Sequence, residues 1–327
     1  MGENENWGIL MFTSFDSLVA RASAIAFCII LSAASKSQDT PPIKVDVQLV
    51  SVTATVEDEQ GHPVTNLKQE DFEVFEDGVR QQIAVFHNDE NIPVSLGIVF
   101  DTSGSMVDKI EGVQDAVLHF IQTTNPDDDI FLLRFSSSIR IAQEFTDDRK
   151  RLKRAVGSLH PRGATALYDA AIRGLEYLQG GRNKKKALLL ITDGNDTSSE
   201  ATLKQAVATA QQAEGIVYAL GIGHGEKGSF GHLQGLFHDT VDVEALKSIT
   251  DVTGGRTVLL EGELHRGSSD RVDDAVQSFS DELRKQYTIG YYPLKTEADG
   301  RYRHLQVRPR DRSYAVRTRE GYVARRM

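Results

Sequence analysis

Residues 94–106 read VSLGIVFDTSGSM, and the fold turns on how this stretch is read. The first seven residues form an almost unbroken apolar run of strand length, the composition of a strand covered on both faces. The run stops at Asp101, and Asp101-Thr-Ser-Gly-Ser105 then sets one carboxylate and several hydroxyls at the strand's carboxyl end. Beyond it Ile110, Val113, Val117, Phe120 and Ile121 recur at helical spacing. Further along, strands are predicted over 129–135, 139–145, 187–191, 216–220 and 256–260. Helices are predicted over 165–179, 200–213, 243–252 and 270–285. Strands alternating with helices across 91–285 predict an α/β fold, a doubly wound and mostly parallel sheet covered on both faces. Ligands of such sheets bind beyond the carboxyl ends of the strands.

Outside 91–285 the rhythm changes to period two. Val45, Val47 and Leu49, then Val52, Ala54 and Val56, alternate as a half-buried strand does. FEVF (72–75) and QIAVF (82–86) flank Glu76-Asp77-Gly78 and read as a hairpin. The C-terminal stretches 286–292 (QYTIGYY), 304–308 and 313–318 have the same character. About 50 residues make a marginal core alone, so 43–90 and 286–327 are expected to complete one another as a small β-sandwich. The 91–285 domain is then inserted in it or flanked by it.

The first 34 residues read as an export signal. Residues 22–34 (ASAIAFCIILSAA) are small and apolar, follow Arg21, and fall short of the ~20 residues a membrane-spanning helix needs. Ser32 and Ala34 suit cleavage before Ser35, and residues 35–42 form a linker. Glu3 and Glu5 are foreign to such a leader, so Met11 is an alternative start to Met1. An exported protein is expected, with no membrane span in the mature chain. The single cysteine, Cys28, lies inside the leader, which excludes disulfides and a thiol nucleophile from the mature chain. With 47 acidic against 37 basic residues and a net charge of −10, the chain should repel nucleic acid.

Three predicted loops at strand carboxyl ends carry hard oxygen donors. Asp101, Ser103 and Ser105 share one turn, Thr165 follows His160-Pro-Arg-Gly-Ala at a helix start, and Asp193 closes ALLLIT (187–192). This set, Asp-x-Ser-x-Ser with a later Thr and a later Asp, resembles the metal-ion-dependent adhesion site of von Willebrand factor type A domains. The resemblance implies direct metal contacts from Ser103, Ser105 and Thr165, and contacts through water from Asp101 and Asp193. Oxygen donors in near-octahedral array suit Mg²⁺ or Mn²⁺. A donor set rich in neutral hydroxyls leaves such an ion able to accept an Asp or Glu oxygen from a protein partner. Residues 66–78 (NLKQEDFEVFEDG) and 287–293 (YTIGYYP) further resemble segments flanking the domain in a group of exported bacterial proteins.

Asp169 reads either as an organiser of the metal loops or as a first-turn acid favoured by the helix dipole. Asp196 reads as a solvated loop acid. The insertion 223–242 carries His224, His232 and His238 at a spacing that matches no metal motif. The reading is of a metal-dependent binding module and not an enzyme, with no catalytic residues assigned. A metal-dependent hydrolase or phosphatase would need a base beside Ser103, and His160 is the nearest imidazole in the chain. A scaffold with an unused metal site is the remaining alternative.

Overall fold

The structure is a computed structural model and describes residues 49–88, 92–225, 240–261, 269–297 and 299–324. The leader, the linker and the histidines at 232 and 238 lie outside the described residues. In chain order, β1 (Val50–Glu57), β2 (Phe72–Glu76), β3 (Val79–Gln81) and β4 (Ile83–Asn88) precede β5 (Val94–Asp101). There follow α1 (Ile110–Thr123), β6 (Asp129–Phe135), β7 (Ile139–Thr146), α2 (Arg149–Gly157), α3 (Leu167–Leu178), β8 (Lys185–Thr192), α4 (Leu203–Gln212) and β9 (Ile216–Ile222). The two-residue strands β10 (His224–Gly225) and β11 (Thr240–Val241) come next, then α5 (Val243–Asp251), β12 (Thr257–Leu260) and α6 (Ser269–Leu283). The chain closes with β13 (Gln286–Tyr291), β14 (Tyr302–Pro309), β15 (Ala315–Thr318) and β16 (Gly321–Val323).

Six strands form the central sheet in the order β12-β9-β8-β5-β6-β7. All neighbours run parallel except β7, which pairs antiparallel at the edge. Every residue of β5 is buried. Leu96, Ile98 and Phe100 pack on one face with Val113 and Val117 of α1, Leu152 of α2, and Val276 and Phe279 of α6. Val99, with Leu188 and Leu190 of β8, packs on the other against Ala170 and Leu175 of α3, Ala206 of α4 and Leu246 of α5. Burying each such side chain contributes about 1.5–3 kcal/mol relative to exposure, which fixes VSLGIVF at the centre. Gly174 brings α3 down onto this layer: a Cβ there would stand 2.7 Å from Val99 Cγ2 and 3.3 Å from Leu188 Cδ1. That close approach holds the loop before α3 at the carboxyl edge of β5.

Two four-stranded sheets, β15-β1-β13-β4 and β16-β14-β2-β3, stand beside this domain. Val52 of β1 opposes Ile289 of β13, and Val74 of β2 opposes Val307 of β14, so each sheet joins strands from both ends of the chain. Val52, Ala54, Val56, Phe72, Val74, Tyr287, Ile289, Tyr291, Leu305 and Val307 form their common core. The expected β-sandwich of both termini is therefore present. Since β4 precedes the start of β5 and β13 follows the end of α6, it sits toward the amino ends of the parallel strands, away from the carboxyl-end loops.

Three elements differ from the sequence reading. The hairpin turn at Asp77 and Gly78, both at positive φ (48° and 79°), returns into β3. The expected return strand 82–86 belongs instead to β4, which crosses to the other sheet and pairs with β13. The break falls at Gln82, and the crossing lets Ile83 and Phe86 pack against the sandwich core. Helix α2 was not expected: its basic residues hide Leu152, Ala155 and Val156, buried at spacings of three and four, and Asp148 caps it by accepting from the Lys150 and Arg151 amides. Strand β16 was likewise missed, being three residues long.

Candidate metal centre

The first loop leaves β5 at Asp101, whose carboxylate is fully buried and organises its own turn. Its Oδ1 accepts from the Ser103 amide at 2.7 Å, and its Oδ2 accepts from Thr192 Oγ1 at 2.6 Å. The loop is tied to its neighbours through backbone: Thr102 N donates to the Phe135 carbonyl, Arg162 N to the Thr102 carbonyl, and Gly104 N to the Gly163 carbonyl. These ties hold the Asp101 and Thr165 loops side by side. A 3-10 turn, Gly104–Asp108, then leads into α1.

Hydroxyls and carboxylates meet across these loops. Ser103 Oγ and Ser105 Oγ are 3.0 Å apart, and Ser105 Oγ donates to Asp193 Oδ1 at 2.7 Å. Thr165 is buried at the mouth of α3, its amide accepted by Thr197 Oγ1 at 2.9 Å and its carbonyl accepting from the Thr197 and Ser198 amides. A Cβ on Gly194 would lie 3.7 Å from Thr165 Oγ1 and 3.8 Å from Ser105 Oγ. All five predicted donors thus border one small region, four of them linked by hydrogen bonds within the first and third loops. Burial pushes the Asp101 carboxyl up to about 6. Hydrogen bonds from Thr192 and the Ser103 amide oppose that rise, and the charge of Asp193 adds to it.

The donor chemistry fits a hard divalent cation. Each candidate ligand atom is a hydroxyl or carboxylate oxygen, the preference of Mg²⁺ and Mn²⁺. Among the described residues no cluster of three or more His, Cys, Asp or Glu side chains offers a competing centre. His160 is exposed, and Ser103 Oγ meets another serine hydroxyl in place of an imidazole.

Three residues play parts the sequence did not disclose. Lys109 Nζ donates to Asp193 Oδ2 at 2.8 Å, with the lysine side chain 7% exposed and the aspartate wholly buried. Thr192 supplies the hydrogen bond to Asp101 described above. Asp196, read as solvated, is half-buried and caps α3: its Oδ1 accepts from the Leu167 and Tyr168 amides at 2.8 and 3.3 Å. Asp169 accepts from the Glu200 and Ala201 amides at 2.8 and 2.9 Å, which ties the first turn of α3 to the loop after Asp193.

The family model of the von Willebrand factor type A domain matches residues 95–262, more than half of the 327-residue chain. The chain belongs to that family. It is 26% identical over 177 residues to an uncharacterized protein of Borreliella burgdorferi, an overlap of 48% of this chain and 51% of the relative. The chain thus spans about half the length of the curated relative it matches. Among solved structures it is similar to a von Willebrand factor type A protein from Catenulispora acidiphila, with 13% identity and a TM-score of 0.48 over 85% of this chain and 75% of that one. It is similar also to proximal thread matrix protein 1 of the mussel byssus, solved with zinc occupying its MIDAS motif, at 15% identity and a TM-score of 0.46 over 61% and 50% of the two chains.

Proposed function

We propose that this chain is an exported, metal-dependent protein-binding module of the adhesion type. Ser103, Ser105 and Thr165 hold a Mg²⁺ or Mn²⁺ ion directly, and Asp101 and Asp193 hold its waters. Bound there, the ion supplies an open Lewis-acid position for an Asp or Glu carboxylate of a protein partner. The observation that carries this reading is the oxygen chain Asp193–Ser105–Ser103, at 2.7 and 3.0 Å, beside the buried Asp101. Family membership supports it, since domains of this type are generally interaction modules. Export rests on the 22–34 run and the cleavage pattern before Ser35. No described helix is long and apolar enough to cross a membrane. In this reading 91–285 is the binding domain, and 43–90 with 286–327 is its mount at the opposite edge.

A non-catalytic role is part of this reading, supported by Ser103 Oγ meeting Ser105 Oγ and by family membership. Capture from a native envelope fraction tests the whole reading: partners should be retained in Mg²⁺ and released by chelator. Retention that is indifferent to chelator contradicts it. Turnover of generic phosphoesters or esters that requires Mg²⁺ would favour the hydrolase.

A further inference from the structure

Lys109 has no place in the donor set, yet it is buried in it. A lysine side chain only 7% exposed loses most of its hydration, and such burial is costly without a paired anion. The anion here is Asp193, one of the two carboxylates of the candidate metal centre, reached at 2.8 Å. Lys109 stands at the foot of α1, directly after the turn that presents Ser103 and Ser105, so its backbone is fixed by the same loop that places the hydroxyls. The alternative cation for Asp193 is therefore covalently part of the site.

We propose that Lys109 is a charge-setting residue that holds divalent-cation affinity down by neutralising Asp193. The inference rests on the metal reading given above. Two carboxylates without the lysine would balance a divalent cation fully, and the bound ion would have little further demand for an anion. With the ammonium against Asp193, that carboxylate neutralises less of the ion's charge, and the partner's carboxylate answers what is left. Charges a few ångströms apart in a water-poor site interact far more strongly than in bulk water, so the lysine is a lever on both steps.

The test is a Mn²⁺ titration, followed by calorimetry, of the wild-type chain, Lys109→Met, Lys109→Gln and Lys109→Arg. Glutamine keeps a hydrogen-bond donor without charge, which covers failure of the methionine variant to fold. The neutral variants should bind Mn²⁺ roughly tenfold or more tightly than wild type, while arginine stays within about threefold. Their metal-free melting temperatures should fall and their Mn²⁺-induced shifts should grow. Neutral variants that bind Mn²⁺ equally or more weakly, beside a wild type that binds it, overturn the role of Lys109 and leave the metal reading intact. A wild type and neutral variants that all fail to take up Mn²⁺ overturn both.

Discussion

Two of the buried charge clusters among the described residues, one around Glu282 and one around Asp193, are built on opposite terms. Glu282, on α6, accepts from Tyr218 Oη at 2.9 Å and from Arg256 Nε at 2.7 Å, and Arg317 approaches to 2.9 Å. Gln286 closes the knot by donating to Tyr218 Oη and Thr55 Oγ1. Arg317 also reaches Glu57 at 2.7 Å, so two carboxylates here meet two guanidinium groups, drawn from α6, β9, β1, β13, β15 and the segment before β12. The cluster joins the central domain to the sandwich and holds no surplus of negative charge. Around Asp101 and Asp193 the Lys109 ammonium reaches Asp193, and the two carboxylates are linked through Ser105 Oγ, Ser103 Oγ and the Ser103 amide. A cluster that satisfies itself is structure, whereas one left with excess charge and lone pairs is prepared for a ligand.

Breaking each cluster should separate these roles. Glu282→Ala takes the carboxylate from Arg256 and leaves Arg317 paired to Glu57, and should cost about 3 kcal/mol, measured by denaturant unfolding. Mn²⁺ affinity of the folded fraction should hardly change, and a lost metal site in a protein of wild-type stability would reverse the comparison. Asp101→Ala should abolish Mn²⁺ uptake in calorimetry. It also removes the acceptor for Thr192 and the Ser103 amide, a loss of about 1–3 kcal/mol, with the circular dichroism spectrum retained. Thr165→Ala removes a direct ligand and should likewise abolish Mn²⁺ uptake in calorimetry, with little change in melting temperature. Global unfolding of both loop variants would make the loops structural. Asp196→Ala removes the cap of α3 and should cost about 1 kcal/mol, read as a small shift in the denaturation midpoint.

The central strands and the donor loops were legible because their information is local. Burial on both faces writes itself into VSLGIVF and ALLLI, and Asp101, Ser103, Ser105 and Asp193 follow their own strand ends within a few residues, whereas Thr165 comes after α2 at the start of α3. What escaped depends on partners far along the chain. Lys109 belongs to no motif in the sequence, and its place shows only where its ammonium meets Asp193, 84 positions later. Asp196 reads as a loop acid until its carboxylate meets amides 28 and 29 positions earlier. The same holds for β4, whose sheet is set by pairing with β13 across roughly two hundred residues of intervening chain. Helix α2 escaped for a local reason, its three buried residues being outnumbered by arginine and lysine.

Crystals of the chain soaked in Mn²⁺, with an anomalous difference map, test the central claim most directly. The account predicts one strong peak about 2.0–2.3 Å from Ser103 Oγ, Ser105 Oγ and Thr165 Oγ1, with waters between it and the two aspartates. A clean map at that position, or a peak held by other residues, would contradict it.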